Sequence, residues 1–269
     1  MSNTIPEEFF DDDMIYHYTS METAVNHILG ERELKLSKRL NQIDPLENQI
    51  LWSDYIGNEK PLKEISSLVE DNSREIKEVL NSTYQLSFCR NYKDFEHEKY
   101  PGEFKDAGFT RFRMWIQYAN NFNGICLAFS KSKLLESILS KYSSKNVSSK
   151  AVNYLSIEEI EKKLKLNSSR YTGDEVSDFI NDFKFMKYKD FRDEAEFRII
   201  INVDSPKESL YFNYGDSLKG IFFHYNETHK PKTKELHYDY IKAYCNKVSI
   251  EFKGLFFYNG SLMIKEGLT

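Results

Sequence analysis

The sequence predicts an α+β fold, a β core carrying helical insertions. Three observations predict it. Short strands rich in Tyr, Ile and Phe stand near both ends of the chain, amphipathic helical stretches lie between them, and no repeat or Gly/Ser-rich linker divides the 269 residues. At about 150 residues per domain the length allows one or two domains, and without a linker the reading is a single domain over 1–269. Residues 1–13, acidic from Glu7 to Asp13, are expected to be a solvated tail or a helix lead-in.

The elements follow in order. Met14–Tyr18 is a first strand, and Ser20 is placed to cap a short helix, Met21–Leu29, that Gly30 ends. Leu34–Ser37 is a second strand, with a structured loop over Lys38–Asp54. Pro61 suits a first helical turn, and Leu62, Ile65, Leu68, Val69, Ile76, Val79 and Leu80 recur at helical spacing, so Pro61–Asn81 is a helix. Tyr84–Cys89 is a strand, Asn91–Gly108 a loop broken by Pro101-Gly102, Thr110–Asn121 a helix and Gly124–Phe129 a buried apolar strand. Ser130–Lys145 is a Lys-rich helix, Ala151–Leu155 a strand and Asp174–Tyr188 a further helix. Between them, Ser156 and Glu159 form a capping box for Ile157–Leu166. Glu196–Val203, Leu210–Phe212, Leu218–Phe223, Val248–Phe252 and Leu255–Tyr258 make the C-terminal part β-rich.

Composition excludes several classes. With 40% hydrophobic and 29% charged residues, and only 11 Gly and 6 Pro, the chain is neither collagen-like nor broadly disordered. A net charge of −5 argues against a surface that is one nucleic-acid clamp, while leaving room for a local basic groove. Cys89, Cys126 and Cys245 are too few and too scattered for a disulfide framework or a zinc site, and the six histidines form no metal-ligand cluster. No apolar run approaches the roughly 18 residues of a spanning helix. Thr4–Asp13 is acidic where a secretory leader would be basic and then apolar, so the expected location is the cytoplasm and no membrane partner is expected. The aromatic content, with 20 Phe and 18 Tyr, is unusual; most of it is expected in the core, and some suits a pocket for a flat ligand.

Three constellations can carry chemistry. In Tyr16-His17-Tyr18-Thr19-Ser20, strand alternation turns His17 away from Tyr16 and Tyr18. A histidine at a strand end followed by hydroxyl residues suits a ligand-gripping edge; the plain alternative is a satisfied core histidine. In Asp193-Glu194-Ala195-Glu196-Phe197-Arg198, two glutamates at i, i+2 open an apolar strand. Neighbouring carboxylates resist ionising together and can stabilise a developing cation; the alternative is a solvated charge run partnered by Arg198. Trp115 and Tyr118, three apart on a helix, share a face and can form an aromatic shelf, or simply pack the core. There is no GxGxxG, P-loop or HExxH motif. Arg90 and His97 match the R-x6-H spacing of helical, metal-independent ribonucleases, but follow a strand.

The ordered set is more specific than its parts. Tyr16-His17-Tyr18-Thr19, Asn41 with Asp44-Pro45-Leu46-Glu47, Leu86-Ser87-Phe88-Cys89, Met114-Trp115 with Tyr118-Ala119, and Gly124-Ile125-Cys126-Leu127 come first. Lys187, Phe191, Glu194, Glu196 and Arg198 follow. Over residues 14–255 this order resembles a widespread bacterial family of unknown-function proteins, departing from it where Gln42-Ile43 opens the Asn-Asp-Pro block. That family is similar to ADP-ribosyltransferases. His17 resembles the first-strand His of their diphtheria-toxin-like and DarT-like branches, and Glu194-x-Glu196 the turn of the transferase branch.

The resemblance implies a split β core, NAD as substrate and no metal. It implies that Glu196 stabilises the oxocarbenium-like state through the ribose 2′-hydroxyl, while Glu194 acts as general base on the acceptor. By the same resemblance His17, Tyr18, Ser20 and Ser87 hold NAD, Trp115 or Tyr118 stacks nicotinamide, and Arg39 pairs with the pyrophosphate. Small stand-alone members of such families are often toxins of toxin–antitoxin or phage-defence systems, so an antitoxin protein is an expected partner. The macromolecular acceptor is RNA or DNA, slightly ahead of protein, because Lys184, Lys187 and Lys189 precede the turn and would form a basic rim. Other readings are an NAD glycohydrolase, a nuclease using Arg90 and His97, and a non-catalytic binding or sensor module.

Overall fold

The computed structural model describes residues 5–41, 78–91, 107–168, 181–225, 232–258 and 261–264. The loop expected after Asn41, most of the Pro61–Asn81 helix, the 92–106 stretch with His97, and the start of the Asp174–Tyr188 helix lie outside the described residues.

The fold is mixed α and β. Its strands are β1 (Met14–Thr19), β2 (Glu33–Lys38), β3 (Thr83–Arg90), β4 (Ile125–Ser130), β5 (Val147–Ala151) and β6 (Asn153–Leu155). Then come β7 (Met186–Tyr188), β8 (Glu196–Asn202), β9 (Leu210–Asn213), β10 (Leu218–His224), β11 (Glu251–Tyr258) and β12 (Ser261–Ile264). Ten of these form one sheet in the order β12-β11-β10-β4-β1-β3-β2-β9, with β8 on β3 and β5 on β8. Pairing is antiparallel except between β10 and β11, whose crossover is the Lys232–Val248 helix, and in the separate β6–β7 pair.

One edge of β3 forks. Its first half pairs with β2, ending at Ser37 opposite Gln85, and its last residues pair with β1, starting at Tyr16 opposite Cys89. β1 and β2 therefore part along Leu86, Ser87 and Phe88, and a cleft opens there. The other edge of β3 pairs with β8 from Thr83 opposite Asn202 to Cys89 opposite Glu196.

Both faces of the central strands are covered, which is why Gly124–Phe129 reads as a continuous apolar run. Alternate residues divide between the faces. Ile15, Ile125, Leu127, Phe129, Ile221 and Phe223 pack on one side; Tyr16, Tyr18, Cys126, Ala128 and Phe222 pack on the other, with Phe109 and Trp115. Gly108 lies so close to the Tyr16 ring that a Cβ would fall 2.1 Å from it, so only glycine lets the 108–110 turn rest there.

Several elements differ from expectation. The acidic start is docked from Ile5 onward: Glu7–Phe10 is a 3-10 turn whose Phe9 is buried edge-on against Phe222, and Asn91 donates to the carbonyls of Phe9 and Asp11. Ile5 and Phe9 are buried while Glu7, Glu8, Asp11 and Asp12 stay exposed, so docking buries none of these charges. Lys232–Val248 is a helix where Val248 was expected to open a strand; Tyr238, Ile241 and Cys245 recur at helical spacing and pack on the core. Met186–Tyr188 is a strand, not a helix end, because it pairs with β6. The capping box forms as expected: Ser156 N–H donates to Glu159 Oε2 at 2.7 Å and Glu159 N–H to Ser156 Oγ at 3.3 Å. Among the described residues no helix is long and apolar enough to cross a membrane.

Candidate active site

The cleft at the fork is a cavity of about 340 Å³. β1 lines it with Tyr16, His17 and Tyr18, β2 with Lys35 and Ser37, and β3 with the run from Gln85 to Cys89. Met114, Tyr118, Lys187, Glu194 and Glu196 close it. The structure thus brings together His17, Tyr18, Ser87, Tyr118, Glu194 and Glu196, residues that span most of the chain.

Glu194 and Glu196 flank a backbone reversal. Glu194 ends the 3-10 stretch Lys189–Glu194, Ala195 takes a left-handed conformation with φ 43° and ψ 47°, and Glu196 begins β8. Both carboxylates are buried, with 3% and 4% exposure. Lys187 bridges them, its Nζ donating to Glu194 Oε2 at 2.7 Å and reaching Glu196 Oε2 at 3.5 Å. Arg198 forks onto Glu196, and the Glu196 N–H donates to the Tyr154 hydroxyl at 2.8 Å.

These environments separate the two acids. Burial drives the pKa of Glu194 above its ordinary value of 4.5, and Lys187 only partly offsets it. Burial acts on Glu196 in the same direction, but Arg198, then Lys187 and the Ser87 hydroxyl, hold it down at about 2. Tyr118 is 46% exposed at the mouth and donates to Glu194 Oε1 at 3.3 Å. Burial, with Glu194 beside it, pushes the Tyr118 phenol up to about 12, so it stays a donor at neutral pH.

His17 meets the cavity from the opposite strand face, where the fork opens. Its Nδ1 lies 3.2 Å from the Ser87 carbonyl oxygen. A carbonyl only accepts, so Nδ1 is the donor and Nε2 of the neutral ring is left as an acceptor. Burial lowers the pKa of His17, which keeps the ring neutral.

A hydrogen-bonded chain runs behind the site. Arg39 Nη1 donates to Gln85 Oε1 at 2.7 Å, and Gln85 Nε2 donates to Ser87 Oγ at 3.2 Å. Ser87 therefore accepts from Gln85 and has its own proton free for the Glu196 carboxylate.

Three expected ligand contacts are elsewhere. Arg39 is fully buried, donating also to the carbonyls of Phe183 and Lys184, and does not line the cavity. Trp115 is core: its indole N–H donates to the Phe109 carbonyl and its ring meets Tyr18 edge-on. Ser20 caps the Met21–Thr23 helix by accepting from Thr23 N–H, outside the cavity. The basic rim is also absent as drawn, because Lys184 and Lys187 are buried. Arg90 ends a strand, unlike the helical ribonuclease arrangement. Sequence reasoning missed Lys35, Ser37 and Gln85; the signal for Lys35 and Ser37 was alternation with buried Leu34 and Leu36, whereas Gln85 is a polar residue inside a buried run. Among the described residues no group of three or more His, Cys, Asp or Glu is placed to hold a metal ion.

Residues 114–199 match a family described as a protein of unknown function, DUF2971. The match takes in Tyr118, Lys187, Glu194, Glu196 and Arg198, and leaves out His17, Lys35 and Ser87. No curated protein and no solved structure matches the chain. Over these residues the chain is similar to a family of unknown function, and that family's segment supplies the acid wall of the cavity.

Proposed function

We propose that the cavity takes NAD as substrate and breaks its nicotinamide–ribose bond, passing ADP-ribose to a macromolecular acceptor, RNA, DNA or protein. The observation that carries this reading is the pair Glu196, held ionised, and Glu194, held more basic, on one wall of a cavity that His17 also lines. Two carboxylates driven apart in acidity divide electrostatic from proton-transfer work. The fork between β1 and β2 supports the likeness to the split core of ADP-ribosyltransferases.

In this reaction the C1′–N1 bond breaks, its electron pair goes to the pyridine nitrogen, and neutral nicotinamide leaves. Positive charge develops on the ribose, and the Glu196 carboxylate stabilises it. The acceptor's nucleophile attacks C1′ and gives its proton to Glu194, whose raised pKa suits a general base. Tyr118 and the Tyr18 edge flank the pyridine, and His17 Nε2 accepts from a ribose hydroxyl. No metal enters these steps. In the cell such an enzyme would be an intracellular toxin or defence effector, restrained by a neutralising protein.

The test uses labelled NAD with total RNA, DNA and lysate protein, following nicotinamide release and label uptake. Glu196→Gln should lose about 10²-fold or more of both, with a thermal melt showing that it folds. Glu194→Gln should keep slow nicotinamide release while transfer falls. Folded wild type that releases no nicotinamide overturns the reading. One observation favours a binding module instead: Arg198 and Lys187 already occupy the oxygens of Glu196. NAD that raises the melting temperature yet stays intact would select that module.

A further inference from the structure

We infer that Lys35, with Ser37, forms a phosphate subsite at the mouth of the cavity, binding the pyrophosphate of a nucleotide substrate. This rests on the proposed nucleotide substrate and assigns the role that Arg39 does not fill.

The argument starts from the charges facing the cavity. On the acid wall two carboxylates, Glu194 and Glu196, meet two cations, Lys187 and Arg198, so this wall is internally balanced. His17 is held neutral by burial. Lys35 is the remaining cation among the described residues that line the cavity, and none of the described carboxylates pairs with it. Its charge is exposed and has no ion-pair partner among the described residues, whereas Arg39 and Lys187 are buried and committed.

Strand geometry aims it. β2 alternates buried Leu34 and Leu36 with cavity-lining Lys35 and Ser37. Ser37 sits opposite Gln85, the last β2–β3 pair before the fork, so Lys35 lies in the opening beyond it, on the side of Ser87. From Leu36 outward β2 instead pairs with β9, which fixes Lys35 in place while leaving the cleft open. The result is a side of ammonium and hydroxyl donors facing a wall whose two carboxylates are already paired with Lys187 and Arg198. A substrate that is anionic at one end fits this arrangement, because the net positive charge of the lining lies at Lys35 and the opposite wall is neutral overall.

Calorimetric titration of the full chain with inorganic pyrophosphate and with ADP-ribose tests this. Wild type should bind both, less tightly as ionic strength rises. Lys35→Gln should weaken both about tenfold, the size of one charge-assisted hydrogen bond, and Lys35→Arg should restore most of the loss. Lys38→Gln is the control: Lys38 is on the same strand but turned from the cavity, donating to Asn81 Oδ1 at 3.3 Å. Wild type that binds neither ligand, or equal weakening by Lys35→Gln and Lys38→Gln, overturns the subsite. Pyrophosphate binding that depends on Lys35, in a protein that releases no nicotinamide from NAD, supports the subsite and removes only the catalytic reading.

Discussion

Arg198 grips Glu196 with two bonds, Nε to Oε1 and Nη2 to Oε2, each 2.8 Å long. The residues are two apart on β8, so their side chains leave the same strand face. The remaining guanidinium nitrogen donates to the Lys184 carbonyl at 2.6 Å, which holds the fork in position. A carboxylate this deeply buried keeps its charge because a planar, always-charged partner matches both of its oxygens.

Breaking that fork should cost stability before it costs anything else. Arg198→Met leaves Glu196 buried with Lys187 as its remaining cation and should lower unfolding free energy by about 3–5 kcal/mol. Arg198→Lys should lose less, since it restores the charge but not the two-pronged geometry. Urea denaturation reads both variants. An unchanged midpoint for Arg198→Met would show that Glu196 does not depend on the fork.

Glu196 and Glu194 should move stability with pH in opposite directions. The native pKa of Glu196 lies below its ordinary 4.5, at about 2, so its contribution is present above pH 4.5 and is lost as pH falls toward 2. The native pKa of Glu194 lies above 4.5, so its contribution is full below pH 4.5 and is lost as pH rises through the native value. Glu196→Gln should flatten the acid limb of the melting-temperature profile, and Glu194→Gln the limb above pH 4.5. Matching profiles for the two variants would contradict the separation of the acids.

Ala195 should tolerate glycine and reject valine. At φ 43° an L residue other than glycine carries roughly 1–2 kcal/mol of steric cost. Ala195→Gly relieves it but frees the unfolded chain, so its melting temperature should stay near wild type. Ala195→Val adds β-branching at a fully buried left-handed position and should destabilise by about 2 kcal/mol or more. A Val variant that melts like wild type would show that the turn does not need this conformation.

Lys184 should give the protein an alkaline signature. It is buried against Asn181 and Asn202, and burial, then Arg39, lower its pKa from 10.5 to about 8. Between those values the unfolded chain keeps a proton that the native state has released, so this group adds stability as pH rises from about 8 to 10.5. Tyrosines and cysteines titrate there too, so the reading is the difference between wild type and Lys184→Met. That difference should grow in favour of wild type across the window; a constant difference would place Lys184 in ordinary solvent contact.

Local chemistry made much of the fold legible. Short runs rich in Tyr, Ile and Phe placed β1, β3 and β8, the unbroken apolar run placed β4, and Ser156 with Glu159 announced its helix. What stayed hidden was pairing. β5 holds three polar residues in five and is a strand because β8 offers it an edge. Met186–Tyr188 is a strand because β6 lies beside it.

The sequence by itself determined which residues to single out: His17 on the first strand, and the Glu194, Glu196 and Arg198 spacing that lets one cation serve a buried acid; the structure brings His17, Glu194 and Glu196 to one cavity. Only the tertiary structure decided which cations are spent on partners among the described residues and which face the cavity. Arg39 and Lys35 look alike along the chain. Arg39 is committed by partners 46 to 145 residues away, in Gln85, Phe183 and Lys184, while Lys35 stands where β1 and β2 part. Burial and charge pairing are set by contacts remote in sequence, and no local pattern of residues encodes them.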